Sequence, residues 1–276
     1  MGERLRARAA RWRYVVPNAI TCASLVVGLV ASVQALVLAE FVNAAWLVIL
    51  SVLLDKLDGT AARALKATSA IGVQLDSFAD FVTFGIAPGA LLYGIGSHAH
   101  ATGVGPWAGE VGGAMVAVVC AAYVVCACLR LAKFNVLAAL PTPPGTPPGK
   151  VFFGLPSTFA GGLVAIGYIV AEKYALRDVV VVLPIIAAGL GVLMLTNLPL
   201  PKLVPRKNVV FNVIQIVVIV VVYVAGVARW IPEFMFGCVV VYALVGFTWG
   251  FIHRKELVRA RVFDPYEAPE PSVEED

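Results

Sequence analysis

Long runs of apolar residues follow one another along most of this 276-residue chain. A transmembrane helix needs about 20 consecutive, mostly apolar residues, and many of these runs reach that length. Hydrophobic residues make up 60% of the chain and charged residues 14%, whereas soluble domains carry about 25% charged residues. The sequence therefore excludes an ordinary soluble domain and predicts an all-α integral membrane protein.

We predict about eight transmembrane helices, within a transmembrane domain over residues 15–256. The predicted spans are residues 17–38, 43–64, 71–95, 113–132, 152–171, 179–198, 208–228 and 233–252. Pro88, Gly89 and Pro156 interrupt the third and fifth spans. Because proline removes a backbone donor and crowds the preceding turn, we expect these two helices to bend or break there.

The basic residues predict the orientation, since lysine and arginine collect on the cytoplasmic side of membrane proteins. One side carries Arg4, Arg6, Arg8, Arg11, Arg13, Lys66, Arg130, Lys133, Lys150, Lys202, Arg206, Lys207, Arg254, Lys255, Arg259 and Arg261. Only Lys173, Arg177 and Arg229 flank the other. We therefore expect a multi-pass protein of the inner (cytoplasmic) membrane with both termini in the cytoplasm.

The two ends of the chain differ in composition from its middle. Residues 1–14 are rich in arginine, with Trp12 and Tyr14 interleaved, which indicates an interfacial helix on anionic headgroups or, equally, a plain topology signal. Residues 257–276 form an acidic cytoplasmic tail, rich in Pro, Glu and Asp beyond Asp264, that we predict to be disordered. Truncation after Phe263, which removes Asp264 to Asp276, should leave any activity intact.

Four aspartates interrupt the apolar pattern near the second and third spans. Asp55 and Asp58 are three residues apart, and Asp76 and Asp80 are four apart, so each pair lies on one face of a helix. Charged groups in a membrane segment are costly and usually functional. The predicted topology places all four near the cytoplasmic side, which makes this region the candidate active site.

Four carboxylates at close range repel one another unless cations lie between them. Carboxylate oxygens without His or Cys suit Mg²⁺, Mn²⁺ or Ca²⁺, and Mg²⁺ is often shared with substrate phosphates. A phosphate-bearing substrate is therefore the leading hypothesis. A cation transporter or proton relay would also use membrane aspartates, whereas an inactive scaffold would leave them unexplained.

The aspartates belong to a longer pattern, D-x-x-D-G-x-x-A-R followed by G-x-x-x-D-x-x-x-D. Its fixed positions are Asp55, Asp58, Gly59, Ala62, Arg63, Gly72, Asp76 and Asp80. The chain thereby resembles the CDP-alcohol phosphotransferase family. Looser motifs at Pro17, Asn18 and Thr21, and in segments 84–88, 129–135 and 153–156, are similar to the phosphatidylserine synthases of that family.

The resemblance implies a homodimer that transfers a phosphatidyl group from CDP-diacylglycerol, a membrane lipid, to L-serine, with no nucleic-acid partner. It also implies two Mg²⁺ or Mn²⁺ ions held by Asp55, Asp58 and Asp76, with Asp80 as a further ligand, as general base toward serine, or as both. For the nucleotide and its phosphates it implies Asp58, Gly59, Ala62, Arg63 and Gly72. The small residues would let the nucleotide approach the backbone, and Arg63 would grip an oxyanion.

The acceptor site is expected near the cytoplasmic end of the fourth span. Arg130 is the main candidate for the serine carboxylate, joined by Lys133, Asn135 and Ser157. Snorkelling side chains that only anchor the helix are the alternative for Arg130 and Lys133. Because the core signature is common to the family, a sister enzyme using glycerol phosphate, inositol phosphate or choline stays open. Only the outer motifs favour serine.

Overall fold

The computed structural model describes residues 2–139, 151–201 and 209–253. The predicted tail over residues 257–276 lies outside the described residues. The helices are α1 (Gly2–Leu36), α2 (Phe41–Ala64), α3 (Ala70–Asp80), α4 (Ala87–Ala101), α5 (Gly112–Ala139), α6 (Ser157–Lys173), α7 (Arg177–Leu195), α8 (Val209–Ala228) and α9 (Pro232–Ile252). A π-helical segment, Phe81–Ile86, joins α3 to α4, so that these two form one continuous helix.

The eight predicted spans each correspond to a helix or to the continuous α3–α4 unit, which confirms the all-α membrane class. Six of these helices are long and apolar enough to cross a membrane: Trp12–Leu36, Ala70–Ala101, Gly112–Val136, Arg177–Leu195, Val209–Ala228 and Pro232–Ile252. The other two are α2, which carries Asp55, Asp58 and Arg63 of the signature, and α6, which has 17 residues. Residues 2–14 are helical and continue into the first span; their place at the membrane interface stays a prediction.

The third and fifth spans differ from their predicted bounds. Pro88 lies just after the π-helical segment Phe81–Ile86, and the helix does not break there but continues to Ala101. The helix of the fifth predicted span, α6, begins only at Ser157, because Pro156 caps it and Gly154 takes a left-handed conformation with φ 78°. The three residues Val151–Phe153 instead pair with Pro199–Pro201 as a short antiparallel ribbon. Because Pro199–Pro201 form the second strand of this ribbon, the helix of the sixth predicted span, α7, ends earlier, at Leu195.

The outer surface of the bundle is apolar. On α8, for example, Val217, Val220 and Val224 are 55%, 53% and 55% exposed. A soluble monomer rarely exposes continuous apolar surface of this kind. These faces fit contact with lipid, as the composition predicted.

Small residues bring the helices close together around the π-helical segment. A Cβ at Gly161 of α6 would lie 3.2 Å from the Cα of Phe84, and one at Gly28 of α1 would lie 2.7 Å from the Thr83 methyl group. Tyr123 of α5 is fully buried and donates a 2.9 Å hydrogen bond to the Phe84 carbonyl. Close contact through small residues is typical of membrane helices, and here it fixes the segment that follows Asp80.

Candidate active site

Three of the four aspartates meet where α2 and α3 face each other. Asp55 comes from α2 and Asp76 and Asp80 from α3, and each offers a carboxylate oxygen within 4.8 Å of the others. Asp76 is exposed, whereas Asp55 and Asp80 are half-buried. The structure therefore assembles a carboxylate cluster that is open on one side.

A short turn reverses the chain between these two helices. The α2 helix ends at Ala64, Lys66 takes a left-handed conformation with φ 48°, and Ser69 caps α3 by accepting a 3.0 Å hydrogen bond from the Gly72 amide. A serine cap satisfies an amide that has no partner within the helix. Gly72 is tightly placed, since a Cβ there would lie 3.0 Å from Ser69 Oγ and 3.1 Å from Asn18 Oδ1.

The donor set of the cluster suits a hard divalent cation. Its three members are all carboxylates, and oxygen ligands of this kind select Mg²⁺, Mn²⁺ or Ca²⁺ over softer metals. Three carboxylates so close together in a partly desolvated place repel one another strongly. A bound cation would remove that cost, so the cluster can hold a metal.

Asp58 lies beside the cluster and has a different partner. Its side chain is buried, and its Oδ2 accepts a 2.7 Å hydrogen bond from Thr21 of α1. The Thr21 hydroxyl also lies 3.1 Å from the Pro17 carbonyl. Asp58 is near enough to Asp76 to interact electrostatically. The structure brings together Asp55, Asp76 and Asp80, and metal binding by all four aspartates stays a prediction.

The remaining signature residues line the exposed face of the same helix. A Cβ at Gly59 would come no nearer than 3.5 Å to any other side chain, that of Arg63, so packing does not explain this glycine. Ala62 is half-buried, and Arg63 is exposed with a 3.3 Å hydrogen bond from Nη2 to Thr60 Oγ1. The face beside the aspartates is therefore open and carries a cation.

Arg130 and Ser157, two of the candidate acceptor residues, contact each other. Arg130 Nη1 donates a 3.1 Å hydrogen bond to Ser157 Oγ, and both side chains are buried. Arg130 also interacts electrostatically with Asp80 and Asp55. Arg130 is buried, whereas a snorkelling arginine would extend to the interface; its role in binding the acceptor stays a prediction.

Lys133 and Asn135 hold neighbouring elements in place. Lys133 Nζ donates to Asn197 Oδ1 at 2.6 Å, just past the end of α7. The Asn135 amide and the Ser77 hydroxyl of α3 are hydrogen-bonded at 3.0 Å. Ser77 follows Asp76 directly, so Asn135 ties α5 to the helix that carries two of the aspartates.

Three residues near the site were not found from the sequence. Ser77 occupies a free position of the signature, Asn197 lies in a short turn before Pro199, and Tyr223 of α8 lies near Asp55 and Asp58. The signature spacing could have suggested Ser77, one residue after Asp76. No sequence signal marks Tyr223, because its approach depends on how α8 packs against α2.

The fold and site define an integral membrane protein with a carboxylate centre held between its helices. The family model described as CDP-alcohol phosphatidyltransferase matches residues 14–196. The chain therefore belongs to the CDP-alcohol phosphatidyltransferase family. The match covers α2, α3 and all four aspartates, whereas α8 and α9 lie beyond it.

Curated relatives come from bacteria, archaea and yeast, and three represent them here. A Helicobacter pylori protein is 31% identical over 77% of this chain and 81% of its own length. A Bacillus subtilis protein is 36% identical over 53% and 71%, and a Methanocaldococcus jannaschii protein is 30% identical over 76% and 85%. All three are named CDP-diacylglycerol–serine O-phosphatidyltransferase.

Proposed function

We propose that this protein transfers the phosphatidyl group of CDP-diacylglycerol to L-serine and releases CMP. The observation that carries the proposal is the cluster of Asp55, Asp76 and Asp80, formed by the signature of a family whose relatives share one activity in their names. The apolar outer surface suits a substrate whose acyl chains stay in the membrane while its headgroup enters the site.

The aspartates are proposed to hold two Mg²⁺ or Mn²⁺ ions. Asp55, Asp76 and Asp80 would provide the main ligands, and Asp58 would join them from its position against Thr21. Ions bound there would neutralise the phosphates of the donor and the charge of departing CMP.

Asp80 is proposed to be the general base. The serine hydroxyl oxygen forms a bond to the phosphatidyl phosphorus, the bond from that phosphorus to CMP breaks, and the hydroxyl proton passes to Asp80. A carboxylate within reach of the hydroxyl raises the rate by accepting this proton during attack. Arg130 lies within electrostatic range of Asp80, so the residue proposed for the serine carboxylate and the proposed base belong to the same region.

Donor and acceptor are proposed to bind on opposite sides of Asp80. The nucleotide and its phosphates would bind through Asp58, Gly59, Ala62, Arg63 and Gly72, and α2 is open to a ligand at Gly59. The serine carboxylate would pair with Arg130, positioned by Ser157. Lys133 and Asn135 support this side through their bonds to Asn197 and Ser77.

We further propose that the enzyme is a homodimer of the inner membrane whose aspartates face the cytoplasm. The orientation rests on the distribution of lysine and arginine. Serine and CMP would then exchange with the cytoplasm, and the lipid would move within the bilayer.

The test is CMP release by purified protein given CDP-diacylglycerol, Mg²⁺ or Mn²⁺, and one acceptor at a time, with Asp80→Asn as control. Serine-dependent release that disappears in Asp80→Asn supports the proposal. Release only with glycerol phosphate, inositol phosphate or choline would support a phosphotransferase activity but reject serine as its acceptor. No release with any acceptor would reject both.

A further inference from the structure

A second polar site lies at the end of the bundle away from the aspartates. A cavity of about 540 Å³ opens between the start of α2, the end of α6 and the turn from α8 to α9, and is lined in part by Trp46, Lys173, Arg229 and Trp230. Along α2, Asn43 beside this cavity and Asp55 are twelve residues apart, or about 18 Å at 1.5 Å per residue. The cavity is therefore separate from the proposed active site.

Arg229 is held toward the cavity by its surroundings. Its Nη1 donates a 3.0 Å hydrogen bond to Asn43 Oδ1. Arg229 and Ile231 both take left-handed conformations, with φ 55° and 40°, so the turn between α8 and α9 has an unusual backbone that sets the direction of the side chains. Among the described residues, Arg229 forms no salt bridge. Its guanidinium has further N–H donors for a ligand.

Lys173 is the second cation of the cavity. It forms an ion pair with Glu233, which also accepts a 3.0 Å hydrogen bond from the Tyr174 hydroxyl. Glu233 balances the charge of Lys173, and Glu40 accepts a 3.3 Å hydrogen bond from the Asn43 amide. Among the described residues, Arg229 is therefore the lining cation that has no ion pair. A ligand that matches it is an anion.

The aromatic residues place the cavity at a membrane surface. Trp230 is 66% exposed at its edge, whereas Trp46 is buried in its wall. Tryptophan is enriched at the level of the lipid headgroups. Lys173, Arg177 and Arg229 are the basic residues predicted for this side of the membrane, and Lys173 and Arg229 both line the cavity. Since cations are disfavoured in loops on that side, their convergence needs a local reason.

We propose that this cavity binds the phosphate group of an anionic phospholipid in the leaflet away from the aspartates. Arg229 would donate to the phosphate, since its planar group suits phosphate oxygens, Lys173 would add charge, and the tryptophans would contact the glycerol and upper acyl region. Hydrogen bonds from a guanidinium to phosphate oxygens are charge-assisted and stronger than neutral ones. This proposal is independent of the transferase activity.

The test is native mass spectrometry of the purified protein with phosphatidylglycerol or phosphatidylcholine. We expect retained phosphatidylglycerol to exceed phosphatidylcholine, and Arg229→Gln to lower phosphatidylglycerol retention about fivefold, as expected for one cation near a lipid phosphate. The matched control is Arg177→Gln, which removes a cation at the same end that does not line the cavity. Lipid retained at the aspartate cluster adds the same amount to the measured retention in every variant.

Equal retention of phosphatidylglycerol by Arg229→Gln and the unchanged protein would overturn the proposal, as would equal retention of the two lipids. Displacement of phosphatidylglycerol by millimolar inorganic phosphate would instead indicate a site for free phosphate, and would also overturn it. CMP release in detergent should be unchanged in Arg229→Gln. If that variant does not fold, Asn43→Ala leaves the charge but removes its hydrogen bond; lower retention supports the proposal and unchanged retention rejects it.

Discussion

The Thr21 hydroxyl of α1 and the Asp58 carboxylate of α2 are joined by a 2.7 Å hydrogen bond between two buried side chains. This bond holds Asp58 beside the cluster of the other three aspartates. It also makes α1 part of the site, although the signature itself lies on α2 and α3. Asn18, one turn earlier, reaches the same region next to Gly72.

Thr21→Val should lower kcat/KM for CMP release about 10-fold to 150-fold. A hydrogen bond to a charged group contributes about 1.5–3 kcal/mol, and valine keeps the shape of threonine without its donor. Thr21→Ser should retain most of the activity. Thr102→Val, in a turn at the end of α4, is the control. Unchanged kinetics in Thr21→Val would show that this bond is not needed for Asp58 to act.

Arg130→Lys should raise KM for serine about tenfold and leave KM for CDP-diacylglycerol unchanged. Lysine keeps the charge but cannot reproduce the planar fork that contacts Ser157 and would pair with a carboxylate. The opposite change, a higher KM for the lipid alone, is expected for Arg63→Ala. If Arg130→Lys has no effect on serine dependence, Arg130 is not the carboxylate site.

Mn²⁺ binding, measured by electron paramagnetic resonance without substrate, should depend on the aspartate cluster. We expect Asp76→Asn and Asp80→Asn to weaken Mn²⁺ affinity at least tenfold, since each removes a charged ligand of the cluster. Chelation by EDTA should abolish CMP release, and added Mg²⁺ or Mn²⁺ should restore it. Glu110→Gln changes an exposed acid away from the cluster and serves as control. Equal Mn²⁺ affinity in all variants would rule out a metal at these aspartates.

Gly59→Ala and Gly59→Leu should separate folding from substrate binding. A Cβ at Gly59 would lie 3.5 Å from the Arg63 guanidinium, an ordinary contact, so Gly59→Ala should fold with little change in stability. Gly59→Leu should raise KM for CDP-diacylglycerol about tenfold or more, because the larger side chain fills the open face. Thermal unfolding and lipid KM would be measured for both. A normal lipid KM in folded Gly59→Leu would place the nucleotide elsewhere.

Much of the fold could be predicted because membrane helices are encoded locally. Apolar runs indicated a helix for each predicted span, although six of these helices are long and apolar enough to cross a membrane, and Pro156 marked the irregular start of α6. The pairing of Val151–Phe153 with Pro199–Pro201 could not be predicted, since it joins segments about 50 residues apart. For the site, regular spacing placed Asp76 and Asp80 on one face. The bonds Thr21–Asp58 and Arg130–Ser157 depend instead on how separate helices pack.

Tyr223 is the most informative residue that the sequence did not indicate, because α8 lies beyond the matched part of the family. One turn further along α8, a Cβ at Gly226 would lie 3.0 Å from Leu53 Cδ1 on α2. This close contact brings Tyr223 into electrostatic range of Asp55 and Asp58. We expect Tyr223→Phe to weaken Mn²⁺ affinity about fivefold, the effect of about 1 kcal/mol if the phenol donates a hydrogen bond to one of these carboxylates when the ion is bound. Tyr93→Phe, on the exposed side of α4, is the matched control. Equal affinity in the two variants would limit α8 to a packing role, whereas a selective loss in Tyr223→Phe would extend the site beyond the signature helices.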